Sequence, residues 1–555
     1  MVLDMEATME LVSQVTKVDL AYLSTILPTL SSTGLVSIRT EGVHEVVGLA
    51  RSRFRDVAYR LITKDRRTQL HCDAANALRN RSRRRTGTFA EVIASHLLSG
   101  GQVGEAYPML LVAAQSTMRA GNLPATTKLL DKAERARATC ERSMASIEAQ
   151  RCRRRLFTLR GQVLLRGGSP SEALNAWNDA LTSAREEGDE ESIARAQAGV
   201  GLSRMAMGQS DEAAPGLAHG LKRLPQGDPM WAQAAEALAR VRITQGDIEG
   251  AKRLWSELLE LGREMGEGEV HARALVGLGL VALVHGELDR GQDDLESAVF
   301  RMRDHTNRKL LPEALIRLGE LSWAQGRLER GRTQAREADS LAREAMQIPD
   351  CVAALGLAAT CLYDLGQREE AAELASNAAS LARAQGGVTT LVQVSQVLST
   401  ARVLTLLGQY EAANELLPTS PPTGGRNTAG LDDPAGGLLA VKSRIVAARN
   451  PVVAIALARQ VLDRPRSALP WASARHLLDA AHTLRLAGDD GAKTAVQQAH
   501  ACIDGHGFRR LQMEAALLAE ALGVVLPGLA PAAEQRAALD HELGSPQGFI
   551  TRWTL

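Results

Sequence analysis

The chain has 555 residues, 45% of them hydrophobic but only 3% aromatic, and a formal net charge of +1. Its apolar surface is therefore mostly Ala, Leu and Val, and Ala and Leu are strong helix formers. β-branched runs bounded by turn residues are nearly absent after residue 60, which excludes a β fold for most of the length. Six scattered cysteines (Cys72, Cys140, Cys152, Cys351, Cys361, Cys502) form no C-x-x-C pair and no zinc-type spacing with histidine, so they read as reduced thiols.

The first residues, Met1 to Thr8, lack the positive segment and apolar stretch of a secretory signal. The longest apolar run, Ala274 to Val284, is too short to cross a bilayer. A cytoplasmic protein without a membrane anchor is the expectation. Two amphipathic stretches, Met5–Val15 and Leu20–Ser31, predict helices. A short β-like run (Gly34 to Arg39) and a second apolar run (Val43 to Leu49) follow, the outline of a winged helix over residues 1–87. A helix from Phe54 to Ile62 is expected to continue into Arg66–Leu78. The Arg-rich stretch 79–87 reads as a loop.

Helices Ala90–Leu98, Glu105–Ala120 and Ala125–Arg137 then follow at irregular spacing through residue 145. Charge is uneven: residues 1–160 hold 25 Lys/Arg against 15 Asp/Glu, and the remainder holds 40 against 49. The basic excess sits in the runs Arg79 to Arg85 and Arg151 to Arg155. No aromatic residue interleaves with either, which disfavours a single-stranded nucleic-acid platform; solvated surface charge is the simpler account.

From about residue 146 a turn residue recurs roughly every 40 positions. It falls on Gly168, Gly208, Gly246, Gly286, Gly326, Gly366, Gly408, Asn450 and Gly488. Five residues after the turn stand Ala173, Ala213, Ala251, Gly291, Gly331, Ala371 and Ala413. Seven residues before it stand Gly161, Gly201, Ala239, Gly279, Gly319, Ala359 and Ala401. Small residues flanking a turn allow two antiparallel helices to cross closely. Nine residues after the turn, Trp177, Leu217, Trp255, Leu295, Ala335, Ala375 and Leu417 are mostly bulky enough to plug the space between hairpins.

Pro/Gly-rich residues 419–437 interrupt the beat and read as a long loop. Residues 524–555 carry three prolines and one short helix (Ala532–Leu543), a C-terminal cap and tail.

This pattern over 146–523 resembles tetratricopeptide (TPR) repeats, with units longer than the usual 34 residues. The resemblance implies an all-α, right-handed TPR-like solenoid of helical hairpins after the N-terminal module. A second resemblance rests on Arg55, Asp56, Tyr59, Leu61, Arg66, Arg67, His71, the Ala74–Leu78 helix and Ile93 to Gly101. These look like the end of the winged-helix module of bacterial STAND-type signalling ATPases and the first helix of their repeat arm. Leu49, Arg51 and Arg53 stand where that family shows Phe, His and Leu, which puts nucleotide contact in doubt.

No P-loop, H-R-D, D-F-G, G-x-S-x-G or H-E-x-x-H sequence occurs, and Gly277-Leu278-Gly279 reads as helix-packing glycine, not a dinucleotide fingerprint. The expectation is a non-enzyme without cofactor or metal, binding a protein or peptide, with self-association possible and nucleic acid disfavoured. The alternative is the regulatory part of an ATP-dependent enzyme, a STAND ATPase or a serine/threonine kinase, whose catalytic domain lies outside this chain. Positions ten, six, five or three before each turn would line the concave face: Thr158, Gln162, Glu236, Arg240, Glu320, Trp323, Tyr363 and Arg402. Trp and Tyr there fit packing between hairpins equally well.

Overall fold

A computed structural model describes residues 7–41, 44–81, 86–143, 146–207, 209–266, 268–303, 310–388, 391–419, 433–467 and 469–542. The chain divides into two compact units, Met1–Ser203 and Arg204–Leu555. The first unit holds β1 (Ala7–Thr8), α1 (Met9–Thr16), α2 (Leu20–Ser32), β2 (Val36–Glu41), β3 (His44–Leu49), α3 (Ser52–Leu61) and α4 (Lys64–Arg81). It continues with α5 (Thr86–Ser99), α6 (Val103–Arg119), α7 (Leu123–Ser143), α8 (Ser146–Arg166) and α9 (Pro170–Glu187). The boundary falls inside α10 (Glu190–Ala206), within the repeat region.

The second unit is helical throughout its described residues. It holds α11 (Ser210–Arg223), α12 (Pro229–Thr244), α13 (Ile248–Glu264), α14 (Gly268–Val284), α15 (Leu288–Arg303), α16 (Leu311–Ala324), α17 (Leu328–Glu344), α18 (Ile348–Asp364) and α19 (Arg368–Ala384). There follow α20 (Leu391–Leu406), α21 (Tyr410–Leu416), α22 (Pro434–Val446), α23 (Pro451–Leu462), α24 (Pro470–Leu486), α25 (Gly491–Ile503), α26 (Arg509–Leu522) and α27 (Ala532–Glu542). From α12 onward the even-numbered helices open each hairpin and the odd-numbered ones close it. The protein is an all-α, TPR-like solenoid of such hairpins.

The N-terminal module has the expected two helices and hairpin, with one addition. Ala7 and Thr8 pair with Val47 and Val46, so the sheet has three antiparallel strands in the order β1-β3-β2. That pairing delays the first helix to Met9, where the Thr8 hydroxyl accepts from the Leu11 N–H at 3.4 Å. The expected run from Phe54 into Leu78 is broken at Ile62, whose backbone is extended. α4 in turn continues to Arg81, into the stretch expected as loop; residues 82–85 lie outside the described residues.

The residues of the STAND resemblance do structural work here. The Tyr59 hydroxyl meets His71 Nε2 at 2.8 Å, and His71 Nδ1 meets His96 Nδ1 at 2.9 Å, tying α3, α4 and α5 together. Leu11, Val15, Ala74, Leu78, Ile93 and Leu97 form the core beneath them.

The forty-residue beat is a helix-capping device. Gly168, Gly246, Gly286, Gly326, Gly366, Gly408 and Gly488 all have positive φ, a conformation open to glycine at little cost. The next residue's N–H reaches back to the final turn, as from Arg327 to the Ser322 carbonyl at 2.8 Å and from Gln367 to that of Leu362 at 2.9 Å. This pairing satisfies carbonyls that the helix end leaves unbonded. Gly208 lies outside the described residues. Asn450 differs: its φ is negative, and its side chain accepts from the Val453 N–H, capping the start of α23.

The small residues sit where helices cross. A Cβ added to Gly279 would meet the Gly291 carbonyl at 3.1 Å, and one added to Gly331 would meet that of Gly319 at 3.0 Å. Trp177 packs on Gly161 of its own hairpin and Gly199 of the next helix, while Trp255 fills the space over Gly277.

The Pro/Gly-rich segment ends sooner than its composition suggests. Pro434 begins α22, and Asp433 Oδ1 accepts from the Gly436 N–H at 3.1 Å while holding Arg464. Within this helix Gly437 leaves room for its neighbours, since a Cβ there would meet Leu398 at 2.6 Å and His476 at 2.8 Å. Residues 420–432 lie outside the described residues, as do those after 542.

An alanine at Gly277 would drive its Cβ into the Trp255 indole. Gly277→Ala should lower stability by about 1–3 kcal/mol, and combining it with Trp255→Leu should cost less than the sum of the single changes. Urea unfolding of the three variants checks this.

Candidate functional site

In the second unit the opening helices of six successive hairpins, α16, α18, α20, α22, α24 and α26, converge on one charged cleft. It measures about 90 Å³. A neighbouring cavity of about 60 Å³ shares Trp323, Arg402 and Arg475 with it. Apolar packing brings these helices together: Leu318 and Leu321 of α16, Leu357 of α18, Leu477 of α24 and Leu511 and Leu518 of α26 belong to one buried cluster. The turn after α25 also closes onto the α14–α15 turn, where His506 approaches Gly286 closely enough to exclude any side chain there.

A chain of buried polar contacts crosses the cleft. Asp364 of α18 accepts the Trp323 indole N–H at 2.7 Å and the Arg510 Nε–H at 2.8 Å, a pair separated by 146 residues. Arg510 also donates to Glu514 at 2.8 Å, and Glu514 meets His482 Nε2 at 3.0 Å. Arg402 Nε and Arg444 Nη1 both donate to Asp479, at 2.6 and 2.9 Å. Ionic groups removed from water need such partners, since an isolated buried charge is costly.

The field inside the cleft is positive. Its lining includes the guanidiniums of Arg368, Arg402, Arg444, Arg475 and Arg510 but only the carboxylates of Asp364, Asp479 and Glu514. Burial raises the Asp364 carboxyl, and Arg510 offsets this only in part. Burial acts on Glu514 in the same direction, but Arg510 and His482 outweigh it and hold its carboxyl low. Burial, followed by Arg402, disfavours the charged form of Arg475. His476, beside the smaller cavity, is held down to about 4, by burial first and then by Arg402.

The eight residues expected at the concave face are placed as follows. Thr158 and Gln162 are half-buried on α8 in the first unit. The other six lie in the second unit. Glu236 and Arg240 of α12 pair with each other, and Arg240 donates to Glu313 of α16 at 2.9 and 3.3 Å. Glu320 accepts from Arg317 at 2.9 Å. These charges are therefore neutralised by partners on their own helix and, for Arg240, by Glu313 two hairpins further on. Trp323 and Arg402, expected to line the concave face, are buried at 3% and 6% exposure, with Arg475 of α24 and Arg510 of α26 over Trp323 and Asp479 of α24 on Arg402. Trp323, Tyr363 and Arg402 line the cleft, and Glu320 lines the smaller cavity.

Sequence reasoning missed Asp364, Arg444, Arg475, Asp479, His482, Arg510 and Glu514. Arg444 and His482 stand six residues before Asn450 and Gly488, the same offset as Arg402 and Arg240, so that column carried a signal. Asp479 and Arg475 lie one and two helical turns further from the glycine, and α26 has no turn residue in the beat. Among the described residues no cluster of His, Cys, Asp and Glu could hold a metal ion, and no helix is long and apolar enough to cross a membrane.

No family model and no curated protein matches the chain. Among solved structures it is similar to a STAND signal-transduction ATPase with a tetratricopeptide repeat sensor from Pyrococcus horikoshii, at 13% identity and a TM-score of 0.34. That match covers 90% of this chain and 60% of the other, so the chain spans less than two thirds of that protein. It is similar to the apo form of the quorum sensor NprR from B. thuringiensis, at 13% identity and a TM-score of 0.42, covering 60% of this chain and 92% of that one. It is also similar to a Rap protein complexed with competence and sporulation factor, at 13% identity and a TM-score of 0.44, covering 71% and 99%. These similarities concern the fold alone.

The His476 shift fixes a pH dependence. The folded state binds this proton less readily than the unfolded chain, whose histidine titrates near 6.5, so its contribution to stability is complete above about 6.5 and is lost as pH falls towards about 4. Within that window the loss is on the order of 1 kcal/mol per pH unit. Arg402 and Arg475 add to the penalty, and Asp433 and Asp479 oppose it. Urea titrations from pH 7 to 4 should show this slope in the parent and a shallower one in His476→Gln.

Proposed function

We propose that this chain is a non-catalytic interaction scaffold, the sensor arm of a bacterial signal-transduction regulator, and that the inner cleft of its second unit takes a protein or peptide ligand. The observation that carries this reading is the convergence of six inner helices on one lined cleft. A ligand seated there touches side chains from α16, α18, α20, α22, α24 and α26 at once. Its binding energy therefore acts on the relative placement of six hairpins, which is how a repeat array can convert occupancy into a change of shape.

Trp323, Tyr363 and Arg402 are the ligand-facing residues in this account, with Glu320 at the adjoining cavity. Aromatic and arginine side chains in a desolvated pocket are the usual carriers of binding energy. Tyr363 is half-buried with Arg368 stacked 5.7 Å from its ring centroid, so it forms a mouth at which a chain can enter. Glu236 and Arg240 set the spacing of α12 and α16 and act through that placement.

A photoreactive phenylalanine in place of Tyr363 should crosslink a polypeptide from a cell extract, and the adduct should fall away when the Trp323→Ala change is added. The same probe in place of Arg336, on the outer helix α17, should give no such adduct. Equal labelling at both positions would contradict the assignment of the cleft.

A further inference from the structure

The polar network leaves two guanidinium groups incomplete, side by side. Arg402 is almost wholly buried, its Nε bonded to Asp479, yet its Nη2 has no hydrogen-bond partner. Asp479 takes Arg402 through Nε alone, and its other oxygen takes Arg444. Among the described residues Arg475 has no hydrogen-bond or ion-pair partner, and its guanidinium carbon lies 4.3 Å from the Trp323 ring centroid. Both arginines line the main cleft and the smaller cavity.

Geometry makes this pair more than an imbalance of charge. Trp323 cannot turn freely, because its indole N–H is committed to Asp364. The Arg475 guanidinium carbon lies 4.3 Å over the centroid of that fixed ring, and a planar guanidinium can receive a planar or trigonal oxyanion by two parallel hydrogen bonds. Two like charges in a desolvated cleft repel each other, and an anion between them removes that cost as it binds. The carboxylates that act on Arg475 are engaged, Asp479 by Arg402 and Arg444 and Asp364 by Arg510 and Trp323. Glu320 of the smaller cavity is engaged by Arg317.

We infer that Arg475 and the free Nη2 of Arg402 form an oxyanion subsite, taking a carboxylate or phosphate group. This rests on the reading of the cleft as a ligand site and names the chemical group that the ligand presents there. The group can come from an acidic peptide or from a free small anion, and the two sources bind differently.

The test uses the full chain at constant ionic strength, with sodium chloride replaced by sodium phosphate or sodium succinate, and separately with the capped hexapeptides of glutamate and glutamine. Tryptophan fluorescence and melting temperature are read for the parent, Arg475→Gln, Arg475→Lys and the outer-helix control Arg336→Gln. The inference requires a saturable response to at least one oxyanion probe. Arg475→Gln should weaken it by about tenfold or more, Arg475→Lys should weaken it less, and Arg336→Gln should leave it unchanged. Because Arg475 has no ionic partner to orphan, its replacement should leave the fold intact. A tighter response to the glutamate peptide than to succinate or phosphate identifies a peptide carboxylate as the source; the reverse order identifies a free anion, and either supports the subsite. A response no greater than that to chloride, or one unchanged in Arg475→Gln, overturns it. If that happens while the Tyr363 probe still crosslinks its partner, only the oxyanion subsite fails; if the crosslink is absent too, the cleft itself is not the ligand site.

Discussion

One buried carboxylate holds the inner helix series closed. Asp364 receives the indole of Trp323 from the preceding hairpin and the guanidinium of Arg510 from the last one, so α16, α18 and α26 meet at a single side chain. Breaking either contact leaves a charge or a polar group without water and without a partner, a loss on the order of 3–5 kcal/mol for a buried ion pair. The apolar cluster supplies the attraction between these helices, but it is tolerant of small shifts in register. The ion network is not, because its donors and acceptors meet only in one arrangement.

The same network explains why the cleft is positive. Asp364 and Glu514 share Arg510, whereas Asp479 is shared by Arg402 and Arg444, and Arg475 stands apart on Trp323. Closure consumes the acids first. What remains at the wall between the two cavities is guanidinium, held rigid by its own neighbours. A site of this kind is built as a by-product of folding the array shut, and it loses its geometry when the array opens. Under the proposed reading of the cleft, a ligand that completes the unused donors would favour the closed arrangement to the extent that it binds that arrangement more tightly.

Much of the fold was legible because its determinants are local. The positive-φ glycines and the small residues at helix crossings mark each hairpin in the sequence, and the structure uses them for capping and close approach. The site was only half legible. Periodicity identified Trp323, Tyr363 and Arg402 as inner-face residues, but nothing in a linear pattern says that α24 and α26 will fold over them. That depends on how far each hairpin rotates on the last, a sum over many packing contacts. The partners of Arg240 and Glu320 were not legible, because Glu313 and Arg317 stand at positions that the repeat offsets do not sample. Likewise, the helix of Gly436 and Gly437 was hidden by composition, since Gly437 makes room for His476 and Leu398, residues remote in sequence, and Gly436 for Asp433 and Arg464.

The central claim is that Asp364 and Arg510 act as one closing interaction. A double-mutant cycle with Asp364→Asn and Arg510→Met, read by urea unfolding, measures it directly. The account predicts that the two changes are strongly non-additive, with a coupling energy above about 1 kcal/mol. Stability losses that simply add, within about 0.5 kcal/mol, would contradict it.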